Sequence, residues 1–140
     1  MAAIRNTAGA IYRWLMGIYV LAVVVQFFLA GAGVFGEKHG PNAAAKLSDE
    51  TSWDLHRGFG TLIAIAGLVL LVVCLAWWSE RIWLMWTFML ALLGAVQFLL
   101  ASAGDHHRWI GALHPLNAVA ILGLSAFLAH RAWRRDLKGR

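Results

Sequence analysis

The composition of this chain of 140 residues excludes a soluble globular domain, because 61% of the residues are hydrophobic whereas soluble domains have about 45–50%. The formal net charge of +5 indicates a topology signal and attraction to anionic lipid headgroups rather than nucleic-acid binding. The single cysteine, Cys74, excludes an internal disulfide and a Cys-x-x-Cys-His motif for covalent attachment of a cofactor.

Four stretches of the chain lack Asp, Glu, Lys and Arg, and each is long enough for a transmembrane helix of about 20 residues. The predicted spans are about 11–35, 54–78, 82–104 and 109–132. The first is too long for the apolar region of a signal peptide, about 7–15 residues. The segment from about Gly36 to Ser52 is predicted to be a loop. The sequence therefore predicts an all-α membrane protein, a single domain of residues 1–140 in which four helices run up, down, up and down.

The distribution of Lys and Arg predicts the orientation of this bundle. Eight of these residues lie on the side of both termini and four lie on the opposite side. The first group is Arg5, Arg13, Arg81, Arg131, Arg134, Arg135, Lys138 and Arg140, and the second is Lys38, Lys46, Arg57 and Arg108. Because the more basic side faces the cytoplasm, we expect a bacterial inner-membrane protein with both termini cytoplasmic.

The chain contains an internal repeat. The segment Val25–Gly33 (VQFFLAGAG) returns as Val96–Gly104 (VQFLLASAG), and each copy precedes a Leu-His pair that opens the next span and contributes His56 or His114. The repeat predicts two equivalent helical hairpins in which the second and fourth spans are parallel. The two histidines then lie at similar depth, about one turn inside the outer interface, and face each other.

This pair of histidines is the candidate metal site. A histidine inside a membrane span is costly and usually faces the bundle interior, and its recurrence in both halves favours a shared role. We therefore expect His56 and His114 to be the axial ligands of one noncovalently bound haem b. Two alternatives stay open: both histidines are hydrogen-bonding groups at the interface, or a copper or zinc ion binds in the loop to His106 and His107 with His114, or with His39 added.

Three amide side chains accompany the histidines. Gln26 and Gln97 occupy the outer halves of the first and third spans, where a buried amide requires a partner. Each is predicted either to join helices or to orient an imidazole or a bound ligand. Asn117 follows His114 by three residues, on nearly the same helix face, and is expected to line the pocket or to hydrogen-bond within the bundle.

Charged and small residues also surround the predicted site. Arg57, His107 and Arg108 are candidates for binding the carboxylates of a porphyrin, and the alternative is that they are solvated loop charges. Four glycines near the histidines allow close helix packing or leave room for a flat macrocycle. They are Gly58, Gly60, Gly111 and Gly123.

The residues around the two histidines resemble a known family. Trp53–Gly60 (WDLHRGFG) and Ala112–Asn117 (ALHPLN) are similar to motifs of haem A synthase. The resemblance implies one of the two four-helix bundles of that family, with His56 and His114 as haem ligands. The chain departs from the family in having one bundle, in lacking the cysteine pair of the outer loop, and in carrying Asp54 as the acidic residue near the first histidine. Oxidation of a haem methyl group is therefore not expected.

A second resemblance covers nearly the whole chain. The segments QFFLAG and LHPLNA are similar to those of a family of small four-span bacterial membrane proteins of unknown function. This resemblance implies the fold but supplies no activity.

Two histidine ligands leave no open position on a haem iron, which favours electron transfer over catalysis. The sequence thus predicts a b-type cytochrome that acts alone, as a homo-oligomer or as an accessory subunit of a membrane complex, rather than a stand-alone enzyme. Its redox partner is expected on the outer side or as a quinone in the lipid. The alternatives are a haem-free structural subunit of a larger complex and a (bacterio)chlorophyll-binding subunit.

Overall fold

The computed structural model describes residues 2–39, 42–77, 80–104 and 106–138, with side chains described within 6–34, 53–77, 80–104 and 106–135. The helices are α1 (Ala2–His39), α2 (Asn42–Trp77), α3 (Arg81–Gly104), the single turn α4 (Arg108–Gly111) and α5 (Leu113–Lys138). Within the described residues, four segments are long and apolar enough to cross a membrane: Asn6–Val34, Trp53–Trp77, Arg81–Gly104 and Arg108–Arg135. The predicted all-α fold with four transmembrane helices is confirmed, and the chain is a multi-pass membrane protein.

The connection between the first two spans differs from the prediction. The segment from about Gly36 to Ser52, predicted to be a loop, is helical in its described residues, because α1 continues to His39 and α2 begins at Asn42. Three consecutive alanines follow Asn42, and alanine is the strongest helix former. The uncharged stretches therefore marked where helices cross the apolar layer but not where the helices end.

The fourth span is interrupted near its start. α4 ends at Gly111, and Ala112 forms a turn before α5 begins at Leu113. Pro115 has no N–H to donate to the carbonyl of Gly111, so one continuous helix would lack that hydrogen bond. The break places Pro115 in the first turn of α5, where proline is tolerated.

The helices pack as two hairpins. α1 contacts α2 and α5, and α3 contacts the same two helices, whereas no close backbone contact joins α2 to α5 or α1 to α3 within the described residues. α2 and α5 therefore lie diagonally across the bundle. We call the end formed by residues 53–57 and 108–114 the histidine end, and the end formed by residues 6–14, 74–77, 80–83 and 131–135 the termini end.

The sequence repeat extends through the bundle core. Buried residues of α1 have buried counterparts in α3 at the sequence separation that relates Gln26 to Gln97. Buried residues of α2 likewise have buried counterparts in α5 at the separation that relates His56 to His114. The mapped pairs are Tyr12 with Trp83, Met16 with Thr87, Tyr19 with Leu90, Val23 with Gly94, Gly67 with Ser125, Leu70 with Leu128, and Cys74 with Ala132. The predicted architecture of two repeated hairpins is confirmed, because equivalent residues of both hairpins face the same axis.

The termini end is closed by aromatic packing. Tyr12 is fully buried, and its hydroxyl is hydrogen-bonded to that of Thr87 at 2.7 Å. The Tyr12 ring lies 5.3 Å from the Trp77 ring and 6.3 Å from the Trp83 ring, between centres. Arg135 covers both indoles, at 5.7 and 5.9 Å. The buried hydroxyls of this end are thus paired with each other inside the protein.

Candidate metal site at the histidine end

His56 and His114 face each other across the bundle. Their ring centres are 6.4 Å apart and their planes are inclined by 61°. The rings come from α2 and α5, the diagonal helices that make no close backbone contact within the described residues. The structure therefore brings together the two histidines that the repeat singled out, and the imidazoles span the gap between the two helices.

The same hydrogen bond anchors the histidine in each hairpin. Gln26 donates from Nε2 to the backbone carbonyl of His56 at 2.8 Å, and Gln97 donates from Nε2 to the backbone carbonyl of His114 at 3.1 Å. Each amide therefore joins the first helix of its hairpin to the second, at the residue that carries the imidazole. Both the structural and the orienting interpretation of these glutamines are compatible with this geometry.

The hydrogen bonds of His114 define its tautomer. Its Nδ1 lies 3.2 Å from the backbone oxygen of Gln97. A carbonyl oxygen only accepts hydrogen bonds, so Nδ1 carries a proton, and in the neutral ring the lone pair is then on Nε2. This is the neutral form of imidazole that binds metals, oriented by a backbone carbonyl as metal-binding histidines commonly are.

His56 is held less completely. Gln26 Nε2 lies 3.4 Å from His56 Nε2, and because an amide nitrogen is a donor, Nε2 is the accepting nitrogen here as well. The other ring nitrogen, Nδ1, is buried and has no hydrogen-bond partner among the described residues, and the same is true of Gln26 Oε1. The lone pair is thus on Nε2 in both neutral rings, but that of His56 accepts a hydrogen bond from Gln26, and only His114 has its Nδ1 paired.

Asn117 stabilises the second hairpin, and the first hairpin has no equivalent amide. Its Nδ2 donates to Gln97 Oε1 at 2.6 Å and to the backbone carbonyl of Leu93 at 2.9 Å. Asn117 thereby fixes the Gln97 amide, which contacts His114. This agrees with the expectation that Asn117 hydrogen-bonds within the bundle. The equivalent residue of the first hairpin is Phe59, which has no amide to offer Gln26.

The predicted basic residues lie at the rim of this end. Arg57, His107 and Arg108 are exposed, and Arg108 lies 5.2 Å from the centre of the Trp109 ring. His107 precedes α4, and its backbone carbonyl accepts hydrogen bonds from Ile110 and Gly111. Within the described side chains, none of these three residues hydrogen-bonds or stacks with the paired imidazoles, so a role in binding carboxylates stays a prediction.

Trp53 is a contact that the sequence did not single out. Its ring is perpendicular to that of His56, with centres 5.7 Å apart, and it packs against Gly33, where an added Cβ would meet the indole at 3.2 Å. Tryptophan near the end of a membrane span is expected at the membrane interface in any case. Its position three residues before His56, on the same helix face, was the available signal.

The four candidate glycines divide into two groups. An added Cβ at Gly60 would lie 2.9 Å from Gln26 Nε2, and one at Gly111 would lie 3.0 Å from the Cα of Gly104. These two glycines therefore permit close packing. At Gly58 and Gly123 an added Cβ would meet nothing within 4 Å, so neither is required by contacts inside the chain.

The spacing of the two histidines fits one metal ion. A metal–imidazole bond is about 2.0–2.1 Å and the nitrogen lies roughly 1.1 Å from its ring centre, so imidazoles on opposite sides of one ion have centres about 6.3 Å apart. The observed separation is 6.4 Å.

The alternative loop site is not formed. Among the described side chains, no group of three or more His, Cys, Asp or Glu residues could hold a metal ion. His106, His107 and His114 therefore do not make a three-ligand cluster, and the side chain of His39 lies outside the described residues. The candidate site therefore offers two histidines as possible protein ligands.

Comparison with known proteins gives a family but no activity. Residues 26–104 match a family described as "Family of unknown function (DUF6220)", a range that includes Gln26, His56 and Gln97 and stops before His114. No match was found among curated proteins or among solved structures. The resemblance to haem A synthase stays a prediction. Because the matched range exceeds half of its length, the chain belongs to the DUF6220 family of unknown function.

Proposed function

We propose that this chain is an integral membrane b-type cytochrome that binds one haem b noncovalently between His56 and His114. The observation that carries the proposal is the 6.4 Å between the two ring centres, which matches two imidazoles on opposite sides of one ion. A site with only two protein ligands suits a metal whose other four ligands come from a macrocycle. The Nε2 lone pairs of both rings support the same assignment.

The chain's own residues would each have a defined part. His56 and His114 would bind from opposite faces through Nε2, and the backbone carbonyl of Gln97 would keep the His114 ring in the required tautomer. A bound haem supplies a one-electron couple whose potential depends on ligand hydrogen bonds and burial. If His56 and His114 both held the metal, the expected activity would be electron transfer, so the chain is not expected to be a stand-alone enzyme.

The rim of the histidine end offers partners for the two carboxylates of the macrocycle. Arg57 makes no hydrogen bond or ion pair through its guanidinium to another described side chain. Arg108 is stacked on Trp109, an arrangement that leaves the edge of the guanidinium available. An arginine fork matches a carboxylate in two hydrogen bonds. His107 is the third candidate at this rim.

The basic residues favour a cytoplasmic termini end, by the positive-inside rule. The histidine end would then face the outside of a bacterial inner membrane. A cofactor at that depth needs an electron donor or acceptor on the same side, either an extracytoplasmic redox protein or a membrane quinone. An accessory subunit of a larger complex, or a homo-oligomer, would meet the same requirement.

A haem-free structural subunit is the second candidate, and one observation favours it. Gln26 and Gln97 each donate to the backbone carbonyl of a histidine, so part of the polar network joins helices without any cofactor. In that case the imidazoles are packing groups, and the purified protein would be colourless. Pigment extraction would distinguish haem from a (bacterio)chlorophyll on the same two imidazoles.

The experiment is a comparison of three single variants purified in detergent. We expect His56→Ala and His114→Ala each to lose the absorption spectrum of a six-coordinate haem and to bind less haem per chain. His130→Ala is the matched control, because His130 is exposed near the other end of α5, and it should keep the spectrum. Unchanged haem content in both site variants would refute the ligand assignment.

A further inference from the structure

The two halves of the site are not equivalent, although the repeat makes them so in sequence. In the second hairpin, His114 Nδ1 is paired with a carbonyl and Gln97 is fixed at both ends of its amide. In the first hairpin, His56 Nδ1 and Gln26 Oε1 are buried without hydrogen-bond partners among the described residues. His114 therefore keeps its ring hydrogen bond when Nε2 binds a metal, whereas the hydrogen bond to the His56 ring, from Gln26, is made at Nε2 itself.

We propose that His56 is the exchangeable ligand of the site and that a small neutral diatomic molecule, of the class of carbon monoxide, binds in its place while His114 stays bound. The proposal rests on the proposed function. It adds to electron transfer a second property, the reversible binding of a gas. In the exchange the bond from His56 Nε2 to the metal breaks and one bond from the incoming ligand forms, with no change in electron count.

Gln26 is the residue placed to meet such a ligand. Its Nε2 lies 3.4 Å from His56 Nε2, the atom whose position the ligand would take. An amide donor therefore already stands beside the coordination position on this face. On the opposite face the Gln97 amide is fixed by the backbone carbonyl of His114 and by Asn117, and among the described residues its Nε2 makes no hydrogen bond to a ring nitrogen of His114.

The difference between the two faces reduces to one pair of equivalent residues. Asn117 donates to Gln97 Oε1, and Phe59, its equivalent in the first hairpin, leaves Gln26 Oε1 unpaired. Asn117 is thus a positioning residue for His114, acting through Gln97. Phe59→Asn would give the first hairpin the same support, and Asn117→Phe would remove it from the second.

The test is the rate at which carbon monoxide binds to the haem-loaded protein after chemical reduction, followed by absorption. Because His56 must leave first, we expect the rate in the unsubstituted protein to level off as the carbon monoxide concentration rises. Phe59→Asn should lower this plateau roughly fivefold, the factor that corresponds to one neutral hydrogen bond. Phe59→Leu, which offers Gln26 no amide, is the matched control and should keep the plateau unchanged.

A further variant keeps the test independent of how well Phe59→Asn folds. His56→Ala should retain a larger share of its haem than His114→Ala and should bind carbon monoxide with no plateau. Haem-loaded protein that does not bind carbon monoxide would overturn this inference and leave the proposed function intact. So would a plateau that Phe59→Asn leaves unchanged. A chain that carries no haem would overturn both.

Discussion

The two ends of the bundle treat their buried polar groups differently. At the termini end, Tyr12 and Thr87 pair with each other beneath a layer of indole rings. At the histidine end, the amides pair mainly with backbone carbonyls, and two polar atoms of Gln26 and His56 have no partner among the described residues. An unpaired polar group away from water costs about 1–3 kcal/mol. We infer that the packing around Tyr12 contributes more to the stability of the bundle than the histidine end does, and a ligand at the histidine end stays a proposal.

The largest effect is expected at the termini end. Tyr12→Ala removes a fully buried ring together with its hydrogen bond to Thr87, and should lower the free energy of unfolding by about 3–5 kcal/mol. Unfolding of the detergent-solubilised protein by sodium dodecyl sulfate, followed by circular dichroism, measures this. Ile11→Ala, one residue away on the 46% exposed, lipid-facing side, is the control and should change stability by about 0.5 kcal/mol or less. Equal losses of stability in both variants would contradict a stabilising role for the buried side of the termini end.

A smaller effect is expected where the second hairpin closes at the histidine end. A Cβ at residue 104 would lie 2.9 Å from the Cα of Gly111, and backbone atoms cannot move aside cheaply. Gly104→Ala should therefore cost about 1–3 kcal/mol and reduce haem content, because the start of α5 carries His114. Gly123→Ala, with nothing within 4 Å of the added Cβ, should do neither. If both alanine variants behaved alike, the close approach of α3 and α4 would not be needed for the site.

The smallest effect is expected from the ion pair at the termini end. Arg135 donates to Glu80 at 2.8 Å, but both side chains are exposed, at 47% and 65%. Exposed pairs contribute about 0–1 kcal/mol, so Glu80→Gln should change stability by roughly 0.5 kcal/mol or less. A double-mutant cycle with Arg135→Gln isolates the pair. If the interaction free energy of this pair were as large as the stability lost in Tyr12→Ala, the surface of this end would contribute as much to stability as its core.

The transmembrane architecture could be predicted from the sequence because it follows from local chemistry. Uncharged stretches of membrane-spanning length fix the number of spans, and short connections fix their alternating direction. The helix ends could not be predicted in the same way. Residues after Asn42 are polar enough to leave the apolar layer but still helical, and the break at Ala112 depends on a hydrogen bond that Pro115 cannot make.

The candidate site was predictable in part for a related reason. The repeat marked His56 and His114 as equivalent, and equivalence places them at one level. The acceptor of each glutamine, a histidine backbone carbonyl, depends on how the helices of a hairpin cross, which spacing alone does not specify. The contact of Trp53 with His56 was missed because tryptophan at a membrane interface already has an ordinary explanation.

The most direct measurement is the reduced-minus-oxidised absorption spectrum of the purified full-length protein, with haem and protein quantified on the same sample. The account predicts one haem b per chain with the spectrum of two histidine ligands. Colourless protein that elutes as a well-folded species, from cells supplied with haem, would contradict it.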